Sequence, residues 1–179
     1  MKRIVAAACL ALAACSPAAT TATLSTATAP AGSPEALVQG IYAEAQHNLG
    51  APMPETIPMT DDLKSLFDRA EAAAAARHEP FIEGDLALNC QDCRSIGDLV
   101  IGPQTGAERE PAVAGHQWVQ AKFKLNGDED RTILWDLVQG AQGWRVDNIL
   151  TDGFNLRTEA NDYITGPTSN APSSPDSAP

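Results

Sequence analysis

The chain has 179 residues, 23 acidic against 12 basic side chains, and a formal net charge of −11. That balance argues against binding nucleic acid or anionic lipid by bulk electrostatics. It leaves room for a cationic ligand, a divalent metal or simply a well-solvated acidic surface.

The first segment is Met1 to Ser16. Lys2 and Arg3 precede an apolar run, Ile4 to Ala14, that closes on Leu12-Ala13-Ala14-Cys15. A basic head, a short apolar core and small residues before the end of the run read as a secretory signal. The core is far shorter than the ~20 residues a helix needs to cross a bilayer. Leu12-Ala13-Ala14-Cys15 resembles the bacterial lipobox, which implies cleavage before Cys15 and lipid modification of that residue. Two or three acyl chains anchor far more firmly than one. Ser16, in the place where Asp would signal inner-membrane retention, implies the outer membrane facing the periplasm. Residues 1–14 are therefore expected to be a signal peptide. Residues 15–32, rich in Ala, Thr, Ser and Pro, are expected to be a flexible tether. A coil of that length spans roughly 20–25 Å. Loss of Lys2 and Arg3 takes the mature charge to near −13.

Ser33-Pro34-Glu35 opens a helix, with a hydroxyl cap, proline in the first turn and an acid at the positive end. Leu37, Val38, Ile41, Tyr42 and Ala45 share one face. Asn48-Leu49-Gly50 ends the helix, and Pro52, Pro54 and Pro58 hold an extended connection. Thr60 caps a second helix whose Leu63, Leu66, Phe67 and Ala70 form a buried stripe. That helix continues to Arg77 or His78, before Pro80.

The period then becomes alternating. Phe81–Leu88 and Ile96–Ile101 are strand candidates. Gln117–Leu125 places Val119, Ala121, Phe123 and Leu125 on one face, and Trp118, Gln120, Lys122 and Lys124 on the other. Asn126-Gly127 begins a turn. Thr132–Val138 returns, Gly140 and Gly143 mark the next turn, and Trp144–Leu150 is the last strand. Helices followed by a meander predict a single α+β domain over 33–165, with N-terminal helices packed on one face of a curved antiparallel sheet. The proline-rich tail 166–179 is expected to be disordered.

Cys9 falls in the signal, so Cys90 and Cys93 are the cysteines of the domain. In an oxidising compartment this pair favours a short disulfide. A redox pair would want the start of a helix, and the strand-like Arg94–Ile101 does not supply one. Zinc would need two more ligands, for which His78 and His116 are the nearby histidines; their spacing matches no motif.

The stretch 133–157, with Trp144-Arg145-Val146-Asp147 on its last strand, resembles the closing hairpin of an uncharacterised bacterial envelope family. So do Glu79-Pro80-Phe81 followed by Gln91-Asp92, and the two helices before them. The family is that of domain of unknown function 3828, within the cone-shaped nuclear-transport-factor-like folds. The resemblance implies a fold enclosing a pocket and an envelope location, and supplies no activity.

Candidate pocket residues are Gln91, Asp92, Trp118, Trp135, Asp136, Trp144 and Asp147. In one register of the 138–144 turn, Asp136 and Asp147 lie opposite each other, where paired carboxylates suit acid–base work or a metal clamp. In the next register Trp135 faces Asp147 and the pair is lost. Both aspartates have a plainer reading on a solvated face, beside Lys122, Lys124 or Arg145. The three tryptophans suit a cavity wall or the core. Gln91 and Asp92, in the loop between the cysteines, suit a ligand contact or an Asx turn. No serine nucleophile motif, metal-binding helix or glycine-rich phosphate loop is present, so no catalytic residue, metal or cofactor is assigned. The expected function is a membrane-anchored periplasmic lipoprotein with a non-catalytic domain that binds a small ligand or an envelope partner and no nucleic acid. A hydrolase or isomerase using Asp92, Asp136 or Asp147 is the alternative, and dimerisation through the sheet is a third possibility.

Overall fold

The computed structural model describes residues 32–49, 55–105 and 113–166. Cys15, the signal, the tether up to residue 31 and the tail from 167 onward lie outside the described residues.

Helix α1 spans Pro34–His47 and α2 spans Asp61–Arg77. Five strands follow: β1 Ile96–Pro103, β2 His116–Leu125, β3 Glu129–Gly140, β4 Gly143–Thr151 and β5 Phe154–Asn155. Helix α3, Leu156–Thr165, closes the domain. The strands form one antiparallel sheet in the order β1-β2-β3-β4-β5, an α+β meander as expected. Each helix begins on a side-chain cap that satisfies a free backbone N–H. Ser33 Oγ accepts from Ala36 N at 3.1 Å, Thr60 Oγ1 from Leu63 N at 3.2 Å, and Asn155 Oδ1 from Thr158 N at 3.2 Å. His78 ends α2 in the left-handed conformation, with φ 60°.

The alternation read in the sequence fixes the sheet's inner face. Val119, Ala121, Phe123 and Leu125 of β2 meet Ile133, Trp135 and Leu137 of β3, and all are buried. Helix α1 covers them with Val38, Ile41, Tyr42 and Ala45. The Tyr42 ring meets Phe123 and Trp135 edge-on, at centroid distances of 5.5 and 6.0 Å. Its hydroxyl donates to the Ala87 carbonyl at 2.8 Å, so the apolar ring buries without orphaning its oxygen. Helix α2 reaches the sheet at β4 and packs chiefly on α3, where Leu66, Ala70 and Ala160 form a second small cluster.

Two sequence expectations change. Phe81–Leu88 is not a strand. Leu86, Ala87 and Leu88 are all buried, which an alternating strand on one sheet face cannot achieve. Asp85 Oδ1 instead accepts from Ala87 N at 2.7 Å and Leu88 N at 3.1 Å, and Asn89 N donates to the Asp85 carbonyl at 2.7 Å. A side chain that captures nearby backbone donors turns the chain in place of a ladder. The second change is α3, which the sequence reading leaves without an element. Its Tyr163 ring packs edge-on to Phe81 at 5.4 Å, and the Arg77 guanidinium lies over that ring at 4.9 Å.

Candidate functional site

Asp136 and Asp147 are brought together, but by neither of the two simple registers. Asp136 pairs with Asn148 and Leu137 with Val146, so Asp147 is the extra residue of a β-bulge in β4. A bulge bends its strand and re-aims a side chain. Here it places Asp147 between the starts of α2 and α3. Its Oδ1 accepts from Thr60 Oγ1 at 2.8 Å and from Arg157 Nη2 at 2.6 Å, while Arg157 Nε donates to the Asp147 carbonyl at 2.7 Å. Asn148 Oδ1 accepts from Arg157 N at 3.1 Å, fastening α3 to the same bulge.

His116, at the start of β2, completes the group. Its Nδ1 lies 2.8 and 2.9 Å from the two oxygens of Asp136. Burial pushes the Asp136 carboxyl above its ordinary value; the His116 hydrogen bond pulls it down and nearby Asp147 raises it further. One ligand atom each from His116, Asp136 and Asp147 lies within 4.8 Å of the others. These atoms already serve one another and Arg157, so a metal ion would have to displace an imidazole contact and compete with a guanidinium. The arrangement ties β2, β3, β4 and both helix starts into one polar network. The sequence marks the two aspartates, shows Thr60 only as a helix cap and His116 only as a zinc candidate, and gives no sign of Arg157, whose role depends on where α3 begins.

The remaining predicted residues separate. Trp135 is fully buried in the core, near the Tyr42 hydroxyl, and its indole N–H makes no hydrogen bond of ordinary geometry. Trp144 is partly buried against the same core. Trp118 lies on the opposite sheet face beside Asp136, its register partner. Of the tryptophans, then, Trp135 belongs to the core. Cys90 and Cys93 are joined by a disulfide, with Cα atoms 5.9 Å apart. Asp92 is exposed and takes part through its carbonyl, which accepts from Asn126 Nδ2 at 3.5 Å.

Gln91 is the predicted residue that lines a cleft. A depression of about 230 Å³ lies between the 81–91 segment and the β4–β5 turn, walled by Phe81, Ile82, Leu86 and Phe154. Gln91 Nε2 donates to Glu83 Oε2 at 2.8 Å across its rim. Gly84 allows the close approach that shapes it, since a Cβ there would lie 2.6 Å from the Cys90 carbonyl oxygen. Asp85, 3% exposed, also lines the cleft. Its Oδ1 holds the turn, whereas Oδ2 has no hydrogen-bond partner. Burial raises the Asp85 carboxyl above its ordinary value, and the Ala87 and Leu88 N–H groups offset part of that rise. The sequence carries a signal for Asp85, an acid followed by three apolar residues, but the same pattern also suits a strand. Larger and more open depressions lie along α1 and α2.

No family model matches this chain, and no curated protein matches it. Among solved structures, the chain is similar to a phospholipid-binding protein from Ralstonia solanacearum, solved in complex with a phospholipid. The two share 17% identity, with a TM-score of 0.32, over 70% of this chain and 69% of the other. An overlap this loose transfers neither a ligand nor a site.

Proposed function

We propose that this protein is an outer-membrane lipoprotein, anchored through Cys15 and facing the periplasm, whose folded domain binds a small ligand without transforming it. Its kinship with the family of domain of unknown function 3828 belongs to the same reading, on the residues quoted above. The observation that carries ligand binding is the cleft over the 81–91 segment. It combines apolar walls with a few fixed polar groups, the usual composition of a small-molecule site, and a disulfide braces the segment that forms it. The His116–Asp136 contact favours a second reading, in which an oriented imidazole transfers protons. The commitment of Asp147 to Arg157 and Thr60 weighs against using the two aspartates as a free acid–base pair.

Two measurements test the main reading. Cys15→Ser should move the protein from the membrane pellet to the soluble envelope fraction; continued sedimentation with membranes would refute anchoring. Native mass spectrometry of protein taken gently from its own envelopes should reveal a small-molecule adduct that Thr151→Trp, at the cleft wall, removes. An adduct that survives this change places the ligand elsewhere.

A further inference from the structure

We infer that the cleft selects a protonated amine: an organic ammonium ion whose N–H groups supply the donor that Asp85 lacks, and whose apolar part rests on Phe81 and Phe154. The inference rests on the reading of the cleft as the ligand site.

Asp85 is almost wholly buried, and one of its two oxygens is saturated by backbone donors while the other has none. A buried acceptor without a donor bears its desolvation cost uncompensated, and the cost is greater for a charged group. Among the described residues, Glu83 and Asp85 line the cleft, and no Lys, Arg or His does. An adjoining depression shares Phe81, Ile82 and Gly84 with it and adds Glu71 and Glu79, again without a basic lining residue. Such a surface repels anions and concentrates organic cations.

The walls decide which kind of cation. A hard metal ion takes six or more oxygens, whereas this cleft is lined by two carboxylates, Asp85 and Glu83, among aromatic and aliphatic side chains. An ammonium on an apolar body matches both features, and aromatic faces attract cations. Phe81 is held in place, edge-on to Phe67 and to Tyr163 at 5.4 Å each. Oδ2 is sealed from water, so the ammonium meets it only as the cleft wall yields locally.

The test uses the full chain carrying Cys15→Ser and three probes of similar shape: benzylammonium, benzyl alcohol and benzoate, titrated at neutral pH with ligand-observed NMR. Benzylammonium should bind about tenfold more tightly than benzyl alcohol, the value of one charge-assisted hydrogen bond, and benzoate should not bind. Asp85→Asn, which keeps the side chain's shape, should erase the tenfold preference. Thr151→Trp should weaken every probe, and Gln91→Trp serves as the blocking variant if the first does not fold. Equal binding of benzylammonium and benzyl alcohol, still blocked by tryptophan, overturns the amine inference and leaves the cleft standing. Binding that tryptophan does not weaken, or no binding by any probe, overturns both.

Discussion

Asp85 and Asp136 are the two acids buried to within a tenth of full exclusion among the described residues, at 3% and 6% exposure. Their surroundings differ. Asp136 faces an imidazole across both oxygens, on a strand flanked by a bulge that brings in Asp147, Thr60 and Arg157. Asp85, in the lining of an apolar cleft, uses one oxygen to hold its own turn and leaves the other buried without a partner. A buried carboxylate inside a complete network fastens elements together. A half-satisfied one is a place where a donor from outside adds free energy that the fold did not provide.

The contrast can be broken from either side. The largest effect is expected from His116→Ala, which turns Asp136 into a second unpaired acid. Removing one partner of a charge-assisted buried contact should cost about 2–3 kcal/mol, read as a lower urea midpoint; an unchanged midpoint would mean that the pair is idle. Gly84→Ala attacks the other site by pressing a Cβ into the Cys90 carbonyl, and should cost about 2 kcal/mol. Reducing binding without loss of stability would instead show that the turn relaxes freely. Replacing both Cys90 and Cys93 by Ser removes a very short loop closure, for roughly 1–2 kcal/mol. Calorimetry on the oxidised and variant proteins compares them directly, and identical melting would show that Asp85 alone fixes the segment.

Asp85→Asn should give the smallest effect, with the opposite sign. The folded carboxyl titrates above its unfolded value. Its favourable contribution is therefore complete below the unfolded value and is lost as pH rises through the folded one. The amide should raise the melting temperature of the unliganded protein slightly at pH 8 and make little difference at pH 4. A lower melting temperature at pH 8 would show that the carboxylate has an internal partner.

Much of the frame was legible. Ser33, Thr60 and the stripes behind them announce α1 and α2 because caps and helical periodicity are local. The alternation of Val119, Ala121, Phe123 and Leu125 gives the inner face of β2 for the same reason. The 81–88 segment is not legible in the same way, because its apolar residues resemble a strand and only the folded chain shows Asp85 taking the backbone donors. Helix α3 has an Asn155 cap and a Leu156, Ala160, Tyr163 and Ile164 stripe, signals that were available but short. Gln91 reached the cleft as a loop residue; Trp135 went to the core because the position between Ile133 and Leu137 leaves it no other face.

By itself, then, the sequence determined an acidic α+β meander, its two leading helices and the spacing that lets Cys90 bond Cys93. The tertiary structure alone decided that Asp147 sits in a bulge beside Asp136, that His116 and Arg157 complete their network, and that Asp85 is buried with one oxygen unmet. The division has a physical cause. Caps and periodicity act between residues a few positions apart, whereas bulges, registers and the burial of a polar atom are set by segments that meet only when the chain has folded.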